Sequence, residues 1–165
     1  MTSPSSTSIA AMAGILGAGW ASGGIAALSL VTIPALLTSS LPGPVLARQW
    51  ASVYNKGKAL MPVVAGLSLV AFGFASYQSR QYGNRWKQYA SAAGLTIAIV
   101  PFTLGLMSGV NGQLMSQAAG AVGAADATTA HDTLELLKKW STLNLTRSLW
   151  PLLGAAIGLW TLVGQ

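Results

Sequence analysis

Four stretches of this chain, roughly residues 9–37, 59–78, 88–108 and 145–163, run on with no acidic side chain, and Arg147 is the single basic intruder. Each approaches or exceeds the roughly 20 residues that cross a hydrocarbon core as a helix. No other feature restricts the fold as much, because a spanning segment must satisfy every backbone group internally. Only 7% of the 165 residues are charged and 52% are hydrophobic. A soluble domain carries about 25% charged residues, so there is too little charge here to solvate a globular surface. The expectation is an all-α protein, a transmembrane four-helix bundle of up-down topology, with both termini on one side. It forms one integral membrane domain over residues 1–165, and its fourth helix is expected to extend back to about residue 131. The N-terminal stretch MTSPSSTSIAAMAG lacks the basic residues of a signal peptide. The first apolar segment is therefore read as a retained span.

The net charge of +6 comes from nine Lys and Arg against Asp126, Asp132 and Glu135. The basic residues flank the apolar runs, which is the pattern of a protein whose partner is a lipid bilayer rather than nucleic acid. Arg48, Lys56 and Lys58 in the first loop and Lys138, Lys139 and Arg147 in the third connection favour a cytosolic face for that side. The dense second loop, with Arg80, Arg85 and Lys87, argues the other way. Cysteine is absent and His131 is the sole histidine, which removes disulfides, thiolate nucleophiles and clustered-imidazole metal sites. No metal is expected.

Prolines punctuate every span. Pro62 reads as a helix start, where its missing N–H is harmless. Pro34, Pro101 and Pro151 read as interior, where they bend the helix or open a cavity. The glycines of AGILGAGWASGGIAALS, at positions 14, 17, 19, 23 and 24, are expected to let helices approach closely. ARQWASVYNKGKALMP reads as the first loop, with Arg48, Trp50 and Tyr54 either anchoring the interface or forming a lid over a pocket. NGQLMSQAAGAVGAADATTA, residues 111–130, reads as a loose connection. Beyond it, Glu135 is expected to pair with Lys139 at i,i+4.

In WSTLNLTRSLWPL, residues Trp140, Asn144, Arg147 and Pro151 share one face at helical spacing. An amide and a guanidinium at that depth mark a functional site if they look inward; the alternative is that Arg147 snorkels to the interface. His131 and Glu135 fall off that face and read as a solvated patch.

The ordered set ARQWASVYNKG, PFTLGLMSGVN and WSTLNLTR resembles the small four-helix membrane proteins that include the fungal anthrone oxygenases. The matching positions are Pro101, Phe102, Thr103, Met107, Asn111 and Leu114, then Trp140, Leu143, Asn144 and Arg147. Gly109-Val110 stands where the family pattern has a Pro-Thr pair. The resemblance implies oxidation of an anthrone, a flat polyketide-derived phenolic tricycle, to an anthraquinone. Molecular oxygen would be the co-substrate, with no cofactor. It further implies Arg147 and Arg48 as sources of positive charge, and Asn144 and Asn111 as orienting groups. Trp50, Trp140 and Tyr54 would stack on the rings, with Thr103 and Phe102 lining the site. The base stays open between Tyr54, Asp132 and water. The setting would be an intracellular membrane such as the endoplasmic reticulum. A non-enzymatic protein that binds or moves a hydrophobic metabolite is the competing expectation.

Overall fold

The computed structural model describes residues 5–82, 85–120 and 127–164. Four helical runs follow one another. The first comprises α1 (Ser6–Ala27), a π-helical turn (Leu28–Thr32) and α2 (Ile33–Leu37). The second is α3 (Gly43–Tyr82). The third comprises α4 (Trp86–Ile97), α5 (Ile99–Phe102), a second π-helical turn (Thr103–Met107) and α6 (Ser108–Ala119). The fourth is α7 (Ala127–Val163). Among the described residues there is no strand.

Local chemistry sets these boundaries. The Ser8 N–H donates to Ser5 Oγ at 3.2 Å, capping the start of α1. At the end of the first run, the Thr38 and Ser39 hydroxyls donate to the carbonyls of Ala35 and Leu36. Pro44 then sits in the first turn of α3, where an N–H has no helical acceptor to lose. Pro34 has a larger effect. The Ile33 N–H reaches back five residues to the Leu28 carbonyl, and Pro34 has no N–H to offer the next carbonyl, that of Ser29. The Ser141 hydroxyl donates to it instead, at 3.2 Å. Along this stretch the buried positions Ile25, Ser29 and Ile33 recur every four residues, the longer period of a π turn. In the third run the α-helix gives way at Ala98, one turn before Pro101, and the second π turn follows.

Three expectations are corrected here. The second helix begins at Gly43, so Arg48, Trp50 and Tyr54 ride on a helix and not on a loop. Pro62 lies deep inside α3, far from its start. The third run continues to Ala119, so Asn111 sits within a helix and not in the loose connection. The loose connection expected over 111–130 shrinks accordingly, and residues 121–126 of it lie outside those described. Three runs, Ser6–Leu37, Gly43–Gln81 and Trp86–Ala119, are long and apolar enough to cross a membrane. α7 has the length, but Arg147, Trp150 and Pro151 dilute its apolar half.

The chain divides into two compact units. One holds Met1–Gly24, Met61–Val100 and Ser148–Gln165; the other holds Ile25–Leu60 and Pro101–Arg147. Each contains a segment of all four helical runs. In the first unit the core is Phe72 and Tyr89 set among Ala11, Ala18, Ala75, Ala92 and Ala155. The Phe72 ring fits between two glycines: a Cβ would lie 2.7 Å from it at Gly14 and 2.6 Å at Gly158. Gly17 faces Ser68 and Gly24 faces Met61 as closely, whereas Gly19 and Gly23 face open space. Rising numbers on the first helix meet falling numbers on the second, so the two are antiparallel. Outside this core stand Leu16, Trp20, Leu67, Val70 and Trp160, all exposed. Small residues inward and large apolar residues outward is the arrangement of helices solvated by lipid.

In the second unit the core is Trp50, Trp140, Leu46, Met107, Leu114 and Leu137, with Ile33, Ala51 and Val110. Thr103 meets Arg147 and Asn111 meets Trp140, which makes the third and fourth helices antiparallel as well.

Candidate functional site

The site in the second unit is built from α7 outward. Trp140 and Asn144 are buried and Arg147 is half-buried, so these three members of the expected stripe look inward; Pro151, buried too, belongs to the other unit. The Trp140 indole, the Asn144 amide and both Arg147 Nη atoms have named partners. Trp140 Nε1 donates to Asn111 Oδ1 at 2.9 Å on α6. Asn144 Nδ2 donates to the Ile25 carbonyl and to Ser29 Oγ, both at 2.8 Å. Asn144 Oδ1 accepts from Arg147 Nη2 at 2.6 Å. Arg147 Nη1 donates to Thr103 Oγ1 at 2.8 Å.

Both π turns serve this cluster. Ser29 lies in the first and Thr103 in the second. A π turn widens the helix locally and redirects side chains, which is why such turns gather at functional sites. The guanidinium is held entirely by a hydroxyl and an amide. Among the described residues the one ion pair is Lys138 with Glu135, so Arg147 keeps an uncompensated positive charge in a half-buried setting. Its Nε is buried with no hydrogen-bond partner.

The aromatic residues join the same unit through α3. Trp50, 1% exposed, meets Trp140 edge to face at 5.7 Å and 83°. Tyr54 stacks on Trp50 at 4.9 Å and 11°. Phe102 packs against this cluster. One face of Trp50 is therefore covered by protein, which restricts the ring-stacking role expected for it.

Arg48 is not brought to Arg147. It is exposed on α3, and its Nε and Nη2 donate to the carbonyls of Ala118 and Gly120 at 3.0 and 2.6 Å. It caps the C-terminal end of α6, where carbonyls lack helical donors and a cation is favoured by the dipole. Nothing in its sequence context signals this, because the partner carbonyls lie some 70 residues away.

A groove of about 870 Å³ runs along α6 and α7, lined by Gly109, Gly112, Gln113, Asp132, Glu135 and Lys139 among others. It contains none of Trp50, Trp140, Asn144 or Arg147. Glu135 pairs with Lys138 at 2.8 Å, in place of the expected Lys139. The hydrogen bond and charge of Lys138 hold the Glu135 carboxyl below its ordinary range. His131 is exposed, in keeping with a solvated patch. Among the described residues no three His, Asp or Glu side chains gather as a metal site would require.

The arrangement can hold an anion. It presents a cation oriented by neutral groups and a phenol beside apolar rings, and the buried Trp50 Nε1, like Arg147 Nε, has no hydrogen-bond partner. Residues 50–157 match the family model described as anthrone oxygenase. An anthrone oxygenase of Claviceps purpurea is 37% identical over 138 residues, covering 83% of this chain and 79% of its own length. A second, of Aspergillus novofumigatus, is 34% identical over 145 residues, 87% of each chain. A monooxygenase of Dothistroma septosporum is 31% identical over 138 residues, 84% of this chain and 74% of its own. No solved structure matches the chain.

Proposed function

The chain belongs to the anthrone oxygenase family and is an oxygenase, and from that premise we propose that it oxidises a phenolic anthrone to the anthraquinone inside an intracellular membrane such as the endoplasmic reticulum, with molecular oxygen and no cofactor. The relatives' names carry the substrate class. The observation that carries the mechanism is the uncompensated guanidinium of Arg147, held by Thr103 and Asn144.

An anthrone has an acidic methylene whose loss of a proton gives an electron-rich enolate. The enolate carbon gives its electrons to oxygen, a carbon–oxygen bond forms, and loss of water leaves the second carbonyl. One oxygen atom enters the product and the other leaves as water, so the substrate supplies every electron and no external reductant is needed. The protein has to stabilise the enolate oxygen and remove a proton. Arg147 answers the first need, because a fixed cation in a medium of low dielectric acts on developing charge far more strongly than in water. Tyr54, stacked on Trp50, is the base we assign; Asp132 lines the groove instead. Asn144 and Asn111 orient, the first by aiming Arg147 and the second by fixing Trp140. Arg48 maintains α6.

The test is an oxygen-consumption and quinone-formation assay on purified protein in detergent with a dihydroxyanthrone. A rate well above autoxidation, with one quinone per oxygen consumed, is the expected result. Binding of the anthrone without accelerated oxidation would favour a carrier of hydrophobic metabolites.

A further inference from the structure

Buried indole N–H groups nearly always have an acceptor, because leaving one unmade forfeits the full desolvation of the donor. Two tryptophans meet in the second unit and only one obeys. Trp140 Nε1 has Asn111 Oδ1 at 2.9 Å. Trp50, equally buried, has its Nε1 enclosed with no partner. In the same unit Arg147 Nε is also enclosed and unpartnered, while both its Nη atoms are engaged. Tyr54 is stacked on Trp50. Both orphans are donors, so what completes them brings acceptor oxygen. Tyr54 covers a face of Trp50, and the atom of the ring that lacks a partner is the N–H on its edge.

We propose that the Trp50 indole N–H is a hydrogen-bond donor to the substrate, meeting an acceptor oxygen of a planar phenolic ligand, and that Trp50 is not a stacking plate. This rests on the reading of the chain as an anthrone oxygenase. The ligand class follows from the site: flat and apolar enough to lie against Trp50, Tyr54 and Phe102, with a keto or phenolate oxygen at its rim.

The experiment compares wild type with Trp50→Phe, which keeps a ring and deletes the N–H. Binding of a dihydroxyanthrone is measured without oxygen, so that affinity is read apart from turnover. Trp150→Phe, which removes an unpartnered indole N–H in the other unit, is the control. For Trp50→Phe the anthrone dissociation constant should rise about five- to tenfold. The melting temperature of the ligand-free protein should hold or rise, since the deleted donor had no acceptor to lose. Trp150→Phe should bind as wild type does. In wild type, the Trp50 indole N–H resonance should also shift on anaerobic addition of the anthrone, a readout that needs no variant to fold. Unchanged affinity in Trp50→Phe, or a resonance that does not move, overturns the proposal. So does a melting temperature that falls in step with affinity, which marks a packing role. Wild type that binds the anthrone through Trp50 yet gives no quinone under oxygen overturns the function and leaves this assignment standing.

Discussion

Asn144 aims Arg147. The guanidinium donates to the amide oxygen at 2.6 Å, and the amide nitrogen is pinned to Ile25 and Ser29 on the first helix. One side chain thus fixes the direction of the charge and the contact between two helices. Asn144→Leu removes both, and should lower stability by about 1–3 kcal/mol through the groups left unpaired. It should also lower kcat/KM at least about tenfold through misplacement of the cation. Thermal unfolding in detergent and steady-state rates measure the two. A variant that melts early but turns over normally would remove Asn144 from the site.

Arg147→Lys keeps the charge and loses the fork that reaches Thr103 and Asn144 together. Activity should fall on the order of 100-fold, the effect of losing one aimed donor at a developing oxyanion. The loss should appear in kcat more than in KM. Wild-type kcat in this variant would show that charge alone suffices and that the hydrogen-bonded geometry is incidental.

Trp140 and Asn111 are joined by one buried hydrogen bond. A cycle of Trp140→Phe, Asn111→Leu and the double variant should give a coupling of about 0.5–1.5 kcal/mol in unfolding free energy. Strict additivity would contradict the bond.

Gly154 and Gly73 should respond to alanine in opposite senses. A Cβ at Gly154 would lie 2.6 Å from Thr96 Oγ1 and 2.8 Å from the Ala92 carbonyl, and at Gly73 it meets nothing within 4 Å. Gly154→Ala should cost about 1–3 kcal/mol by overpacking. Gly73→Ala should be neutral, or stabilising by up to about 1 kcal/mol through helix propensity. Equal effects would mean that the close approach at Gly154 is not made in solution.

Glu135 gives the pH-dependent prediction. Lys138 depresses its carboxyl in the folded chain, so the small stabilisation is present above the ordinary carboxylate range. It fades as acid protonates the folded group. Because the pair is solvated, Glu135→Gln should leave activity at neutral pH unchanged and flatten the acid limb of the stability curve slightly. A large loss of activity would place Glu135 in the chemistry.

The apolar runs and the face shared by Trp140, Asn144, Arg147 and Pro151 were legible, because helix length and the 3.6-residue repeat are local properties. The start of α3 at Gly43 was not. Arg48, Lys56 and Lys58 look like loop charges, yet a helix tolerates them wherever it stands clear of hydrocarbon. The π turns were hidden too, since a change from four-residue to five-residue bonding leaves composition untouched. Asn144 could be marked as costly in lipid, but its partners Ile25 and Ser29 lie more than a hundred residues away. The partners of Arg48 were hidden for the same reason: they are decided by where α6 ends.

Pro34 leaves Ser29 with a carbonyl that no N–H of its own helix serves, and the hydroxyl that serves it, Ser141, belongs to the fourth helix. In hydrocarbon that carbonyl finds no water to substitute. A chain is made from its N-terminus, so the first helix carries an open acceptor until the fourth supplies the Ser141 hydroxyl. Assembly thereby acquires a direction: the helix made last completes the helix made first. The same step brings Asn144 to Ile25 and Ser29, so the site matures only when the whole bundle has formed.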